Sequence, residues 1–151
     1  MKNRSGPWLL DVNLLLAWLW PTHAYHSEAL KWLAQHRGQE WATCPFTENG
    51  FLRIVSNPAF SQDSPSVSEA QKILQEQLRP ETGHRFWPAD ISCAGAGKKY
   101  LGFVCGHQQI TDSYLLALAV RNKGCLVTRD RRINALAPPG SPAHSALLVL
   151  P

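Results

Sequence analysis

The stretch ITDSYLLALAVRNKGCLVTRD, residues 110–130, decides the fold class. Leu115, Leu116 and Ala119 follow Asp112 at i+3, i+4 and i+7, the spacing of one helical face. Thr111 is suited to cap this helix, expected over Asp112–Asn122, and Lys123-Gly124 to end it. Cys125–Thr128 is then a short apolar run of the kind buried on both faces of a parallel sheet. A helix passing directly into a buried strand is the repeating unit of α/β proteins.

The same alternation extends outward in both directions. Trp8–Val12 reads as a first buried strand, followed by a helix from Asn13 to Trp20 that Pro21 stops. Thr22 can cap a second helix carrying Tyr25, Ala29, Trp32 and Leu33 at helical spacing, with Gly38 at its end. Glu40–Thr43 is expected as a strand, and Pro45 as the opening of a helix that runs to about Ser56. Beyond a polar loop, Ser66 and Glu69 form a capping box ahead of Ala70, Ile73, Leu74 and Leu78. Arg85–Trp87 and Ala146–Leu150 read as strands and Arg131–Leu136 as a short helix. Ser92–Leu101, with two glycines, receives no assignment. These elements predict a parallel sheet in an α/β sandwich, with residues 1–151 as one domain.

Composition narrows the class. The chain has 151 residues, 44% hydrophobic and 17% charged, a globular balance that can fill a core. No apolar run reaches the roughly 20 residues a membrane span needs. The N-terminal MKNRSGPWLLDVNLLLAWLW has the outline of a secretory leader, but Asp11 and Asn13 interrupt it and Pro21-Thr22-His23 is no small-residue cleavage site. The four cysteines, Cys44, Cys93, Cys105 and Cys125, form no C-x-x-C pair and are expected as buried, reduced thiols of a cytoplasmic protein. A net charge of +4 permits an anionic partner, and Arg129, Arg131 and Arg132 crowd positive charge around Asp130.

Four of the eleven acids sit where acids are costly. Asp11 lies at or near the C-terminal end of an apolar strand, and Asp130 follows the strand Cys125–Thr128. In parallel sheets that edge opens onto the ligand crevice. Glu48 shares a helical stripe with Phe51, Leu52 and Val55, and Asp112 shares the stripe described above. A carboxylate on a core-facing row needs compensation, and Arg53 is the one cation placed near Glu48 in sequence. Converging carboxylates form an all-oxygen site suited to magnesium or manganese. Ordinary alternatives stand beside this reading: Asp112 and Glu48 as first-turn acids on a helix dipole, and Asp130 as a turn residue paired with a neighbouring arginine. Asp90 is expected to cap the segment that starts at Ser92, and the other acids to sit in loops or on solvated faces.

Taken together, LLDVNLLL around Asp11, PFTENGFLRIVSNP around Glu48 and the 110–130 block resemble the PIN-domain ribonucleases, in particular the VapC toxins of bacterial toxin–antitoxin pairs. The match runs over nearly the whole chain in order. The resemblance implies an α/β/α sandwich with a mainly parallel sheet and an endoribonuclease dependent on Mg2+ or Mn2+. It further implies a homodimer and a small VapB-like antitoxin as partner. It assigns Asp11, Glu48, Asp112 and Asp130 as the acids, the three aspartates as metal ligands, and Asn13 and Thr128 as supports. Arg131 and Arg132 stand where some members carry a further acid, which leaves open one metal or two.

The expected chemistry is attack on RNA by a metal-activated water, leaving 5′-phosphate and 3′-hydroxyl ends. Glu48 is a ligand or orients that water, and Arg53, Arg129, Arg131 and Arg132 are candidates for phosphate contacts. A housekeeping RNA-processing nuclease of the same family is the alternative nearest at hand. A haloacid-dehalogenase-like phosphatase needs a second aspartate where Asn13 stands. A non-catalytic RNA-binding module gains nothing from buried carboxylates.

Overall fold

The computed structural model describes residues 4–96 and 98–151; Met1–Asn3 of the leader-like stretch and Gly97 of the unassigned segment lie outside them. The apolar runs form five short parallel strands: β1 (Trp8–Leu10), β2 (Trp41–Thr43), β3 (His84–Phe86), β4 (Cys125–Thr128) and β5 (Leu147–Val149). Their order is β3-β2-β1-β4-β5. Trp8 stands in register with both Trp41 and Cys125, which puts β1 at the centre.

Side-chain alternation along the strands divides the core in two. Leu9 and Leu126 face Leu115, Leu116, Leu118 and Ala119 of a helix over Ile110–Arg121. Trp8, Leu10, Cys125 and Val127 face the opposite layer. That layer is built from α1 (Val12–Leu19), α2 (His26–Gln35), α3 (Pro45–Val55) and α4 (Val67–Gln77), and the Ile110–Arg121 helix is α5. The result is an α/β/α sandwich. The three inner strands, β2, β1 and β4, are buried along their whole length between these layers, while the edge strands β3 and β5 are more open, so the helices on both faces hold the sheet together. Among the described residues no helix is long and apolar enough to cross a membrane.

Several boundaries differ from the sequence expectation, each for a local reason. Asp11 is not within the first strand: its Oδ1 accepts from Val12 N at 2.7 Å and so starts α1 one residue early. Thr22 does not cap α2, because Pro21–Tyr25 forms turns first and the helix begins at His26. Thr111 lies inside α5, since a 3-10 turn over His107–Gln109 leads straight into the helix at Ile110. Asp90 pairs with Arg121 at 2.7 Å instead of capping the segment after it. Only Cys44 and Cys125 are buried; Cys93 and Cys105 are exposed, and all four are free thiols. The two exposed thiols differ because burial in loops depends on neighbours far along the chain. The capping box of α4 forms as read, with Ser66 N donating to Glu69 Oε2 at 2.7 Å and Glu69 N to Ser66 Oγ at 3.2 Å.

The end of α5 carries the one left-handed non-glycine residue among those described, Lys123 at φ 53°. Gly124 N then donates to Ala119 O at 2.8 Å, closing the helix in a Schellman turn. Cys125 N in turn donates to Pro7 O at 2.9 Å, which zips β4 onto β1.

Candidate active site

The strand order reverses at the β1–β4 junction, and in parallel α/β sheets the crevice at such a reversal lies at the C-terminal strand ends. Asp11 follows β1 directly and Asp130 follows β4 by two residues, so both emerge there. Asp112 enters from the first turn of α5, and Glu48 from the first turn of α3 after β2.

A hydroxyl and an amide tie the two strand ends together. Thr128 Oγ1 donates to Asp11 Oδ2 at 2.6 Å and accepts from Asp130 N at 3.1 Å. Asn13 Nδ2 reaches Asp11 Oδ2 at 3.2 Å and Thr128 Oγ1 at 3.0 Å, while its Oδ1 accepts from Arg129 N at 3.1 Å. Asn13 and Thr128 thus join the C-terminal ends of β1 and β4. They fix one carboxylate oxygen of Asp11 and the backbone that carries Asp130.

The three aspartates lie near enough for their charges to act on one another. Asp11 is 7% exposed, and burial pushes its carboxyl above the ordinary range, against the hydrogen bonds from Thr128 and Val12 and with repulsion from Asp130 added. Asp112 is pushed up to about 6, first by burial, then by the charges of Asp11 and Asp130. Asp130 goes the other way: Arg132 grips it through Nε at 2.9 and 3.1 Å and Nη2 at 2.7 Å, holding its carboxyl below the usual range. Its backbone partner is also Arg132, whose N–H donates at 2.9 Å, so Asp130 is the paired turn residue of the alternative reading as well as a member of the cluster.

The other arginines are dispersed. Arg129 lays its guanidinium 3.5 Å over the Tyr25 ring, toward α2. Arg131 is exposed beside Asp130, and Arg53 lies in a separate shallow groove with Asn57, Ala59 and Phe60. Glu48 finds a different neighbour from the cation that its local sequence offers: Thr43 Oγ1 donates to its Oε1 at 2.6 Å. Behind Thr43 stands His84 at 2.8 Å. The one signal of this pair in the sequence is polar residues in otherwise apolar strands.

Among the described residues no three His, Cys, Asp or Glu side chains already close into a metal cage. Three of the four carboxylates are instead turned to their own neighbours: Asp11 to Thr128, Glu48 to Thr43, Asp130 to Arg132. The donor set is nonetheless all carboxylate oxygen, with charge on Asp11 and Asp112 that the protein leaves poorly compensated, which fits a hard divalent cation.

That uncompensated charge has a pH signature. A folded-state value for Asp112 of about 6 against an ordinary 3.8 means the folded chain binds the proton more tightly across that interval. Stability attributable to Asp112 therefore falls as pH rises from 3.8 to about 6, and the cost stays constant above. At this half-buried position the cost is on the order of 1 kcal/mol after solvent screening, or about 2–4 °C in Tm. In EDTA, Asp112→Asn should melt that much higher than the parent at pH 7 and level with it near pH 4. A gap that did not change with pH would refute the assignment.

The chain is similar to known proteins over most of its length. Residues 8–138 match the family model described as the PIN domain. The chain is 40% identical over 134 residues to Ribonuclease VapC39 of Mycobacterium tuberculosis, covering 87% of this chain and 94% of that one. It is 37% identical over 129 residues to Ribonuclease VapC38 of the same organism, covering 85% and 89%. With Ribonuclease VapC44 it shares 38% over 134 residues, covering 88% and 92%.

Proposed function

The chain belongs to the PIN-domain family and, within it, to the VapC ribonucleases, and from that premise we propose that it is a metal-dependent endoribonuclease acting as the toxin of a toxin–antitoxin pair. The observation that carries the chemistry is the meeting of Asp11, Asp112 and Asp130 at the strand reversal, with Asp11 and Asp112 both held above their ordinary carboxyl range. Binding anionic RNA by itself would select against such a cluster.

A bound Mg2+ or Mn2+ ion supplies positive charge that acidifies water and offsets the charge of the phosphate. Asp11, Asp112 and Asp130 are the residues that hold it. Thr128 and Asn13 keep Asp11 in one orientation, which limits the reorganisation needed on binding. Asp130 would hold the cation in place of its present partner Arg132, which would leave that guanidinium free for a phosphate oxygen. Glu48, pinned at one oxygen by Thr43, orients the attacking water. In-line attack on phosphorus with departure of the 3′ oxygen leaves 5′-phosphate and 3′-hydroxyl ends.

A homodimer and a VapB-type antitoxin complete the reading. A groove lined by Leu14, Trp32 and Leu150 together with Glu28, Lys31 and Arg129 offers a mixed apolar and charged seat for a partner peptide, reaching Arg129 just past the end of β4. The test is cleavage of RNA by the purified chain, with end analysis of the fragments. Cleavage should require Mg2+ or Mn2+, stop in EDTA and yield 5′-phosphates. Cleavage that persists in EDTA, or fragments with 2′,3′-cyclic phosphates, would reject metal-assisted hydrolysis.

A further inference from the structure

Glu48 rests on a hydroxyl that in turn rests on a histidine unused by the cleavage chemistry. Thr43 ends β2 and is fully buried, with Oγ1 2.6 Å from Glu48 Oε1 and 2.8 Å from His84 Nε2. A threonine hydroxyl has one proton to give, and an ionised carboxylate only accepts. With that proton directed to Glu48, Thr43 Oγ1 must accept from His84, so Nε2 of the ring carries hydrogen. His84 is itself buried at the start of β3, in register with Trp41, whose ring lies 4.7 Å from its own. The imidazole is thus locked by packing, and the hydroxyl between the two groups has its rotation decided for it.

We propose that His84 is a positioning residue for Glu48: its Nε2–H orients the Thr43 hydroxyl, which fixes one oxygen of the Glu48 carboxylate. Without a donor behind it, the hydroxyl is free to turn, and Glu48 loses its fixed direction. The inference rests on the reading of Glu48 as the residue that orients the attacking water. Its reach is across two strands, from β3 through β2 to the head of α3, and it leaves RNA binding untouched because the ring is enclosed in the protein.

Two measurements on the full chain decide it. The 15N and 1H spectrum of the histidine rings, taken without metal at pH 7.5, should show His84 protonated at Nε2. A ring protonated at Nδ1 alone overturns the proposal. In RNA cleavage, His84→Leu should lower kcat roughly 10–100-fold with KM unchanged. His84→Gln, which returns an N–H at the reach of Nε2, should recover most of that loss. Adding Thr43→Val to His84→Leu should cost little more, because both changes break the same link. Equal rates for His84→Leu and the parent, or no difference between Gln and Leu at this position, would overturn it; if His84→Leu does not fold, the Gln variant and the ring spectrum still decide. Absence of metal-dependent cleavage by the unmodified chain would sink the nuclease reading instead, and the ring spectrum would then decide the His84–Thr43 contact by itself.

Discussion

Asp11→Asn is expected to give a folded protein whose metal-dependent RNA cleavage is slower by at least about 10³-fold, equivalent to roughly 4 kcal/mol of lost transition-state stabilisation. The size follows from what the side chain does. Asp11 is the most buried of the four acids, and its Oδ2 is held by Thr128 and Asn13 at the junction of β1 and β4. An amide there keeps an oxygen to cap α1 at Val12 but removes the negative charge a cation needs. Removal of a charge that burial opposes offsets the loss of the acceptor that Thr128 and Asn13 share, so the variant should melt close to the parent in EDTA at pH 7.5. Added Mg2+ or Mn2+ should raise the Tm of the parent and leave that of the variant unmoved. Cleavage at the parental rate by the purified variant would end the case for Asp11 as a metal ligand.

The largest effect on stability is expected at Gly124. A Cβ at this position would run into the Pro7 carbonyl oxygen and stand 2.8 Å from Trp87 Cη2. Neither neighbour can retreat cheaply: the same Pro7 oxygen accepts from Cys125 N, and Trp87 is packed in the core. Gly124→Ala should therefore cost about 3 kcal/mol, lowering Tm by roughly 6–12 °C for a chain of this size. Lys123→Gly is the informative counterpart. Lys123, not Gly124, holds the left-handed backbone, so glycine there should raise stability by up to about 1 kcal/mol. If the two substitutions had similar effects on thermal melting, Pro7 and Trp87 could not be what demands glycine at 124.

That pair also shows what a sequence conceals. Lys123-Gly124 is legible as a helix stop, yet glycine invites the assumption that it supplies the left-handed residue, and only the approach of Pro7 gives its actual reason. Helix α5 and strand β4 are legible because a helical period gives way to an unbroken apolar run. The start of α1 is not, since Trp8–Leu16 is apolar through both strand and helix apart from Asp11 and Asn13, and the boundary is set by one carboxylate turned onto Val12 N. Three of the candidate acids can be placed at one edge from strand ends and helix stripes alone. The directions of Arg129, toward Tyr25, and Arg132, onto Asp130, cannot, because a flexible side chain goes where tertiary neighbours draw it. His84 and Thr43 are hidden for the same cause: their contact depends on the β2–β3 register, which no local pattern encodes.

The central place of β1 has a bearing on how such a chain can be made safely. Strand β1 is paired on one side by β2 and on the other by β4, and Asp11 meets Thr128 across 117 positions of sequence. A ribosome that has translated as far as α5 has made Asp11, Glu48 and Asp112, but β1 still presents one bare edge and Asp11 lacks its hydroxyl partner. On the proposed reading the site is complete only once residues 125–130 lie beside β1. A fragment that stops before β4 therefore lacks both Asp130 and the hydroxyl that orients Asp11, and on the proposed reading it should leave RNA uncut.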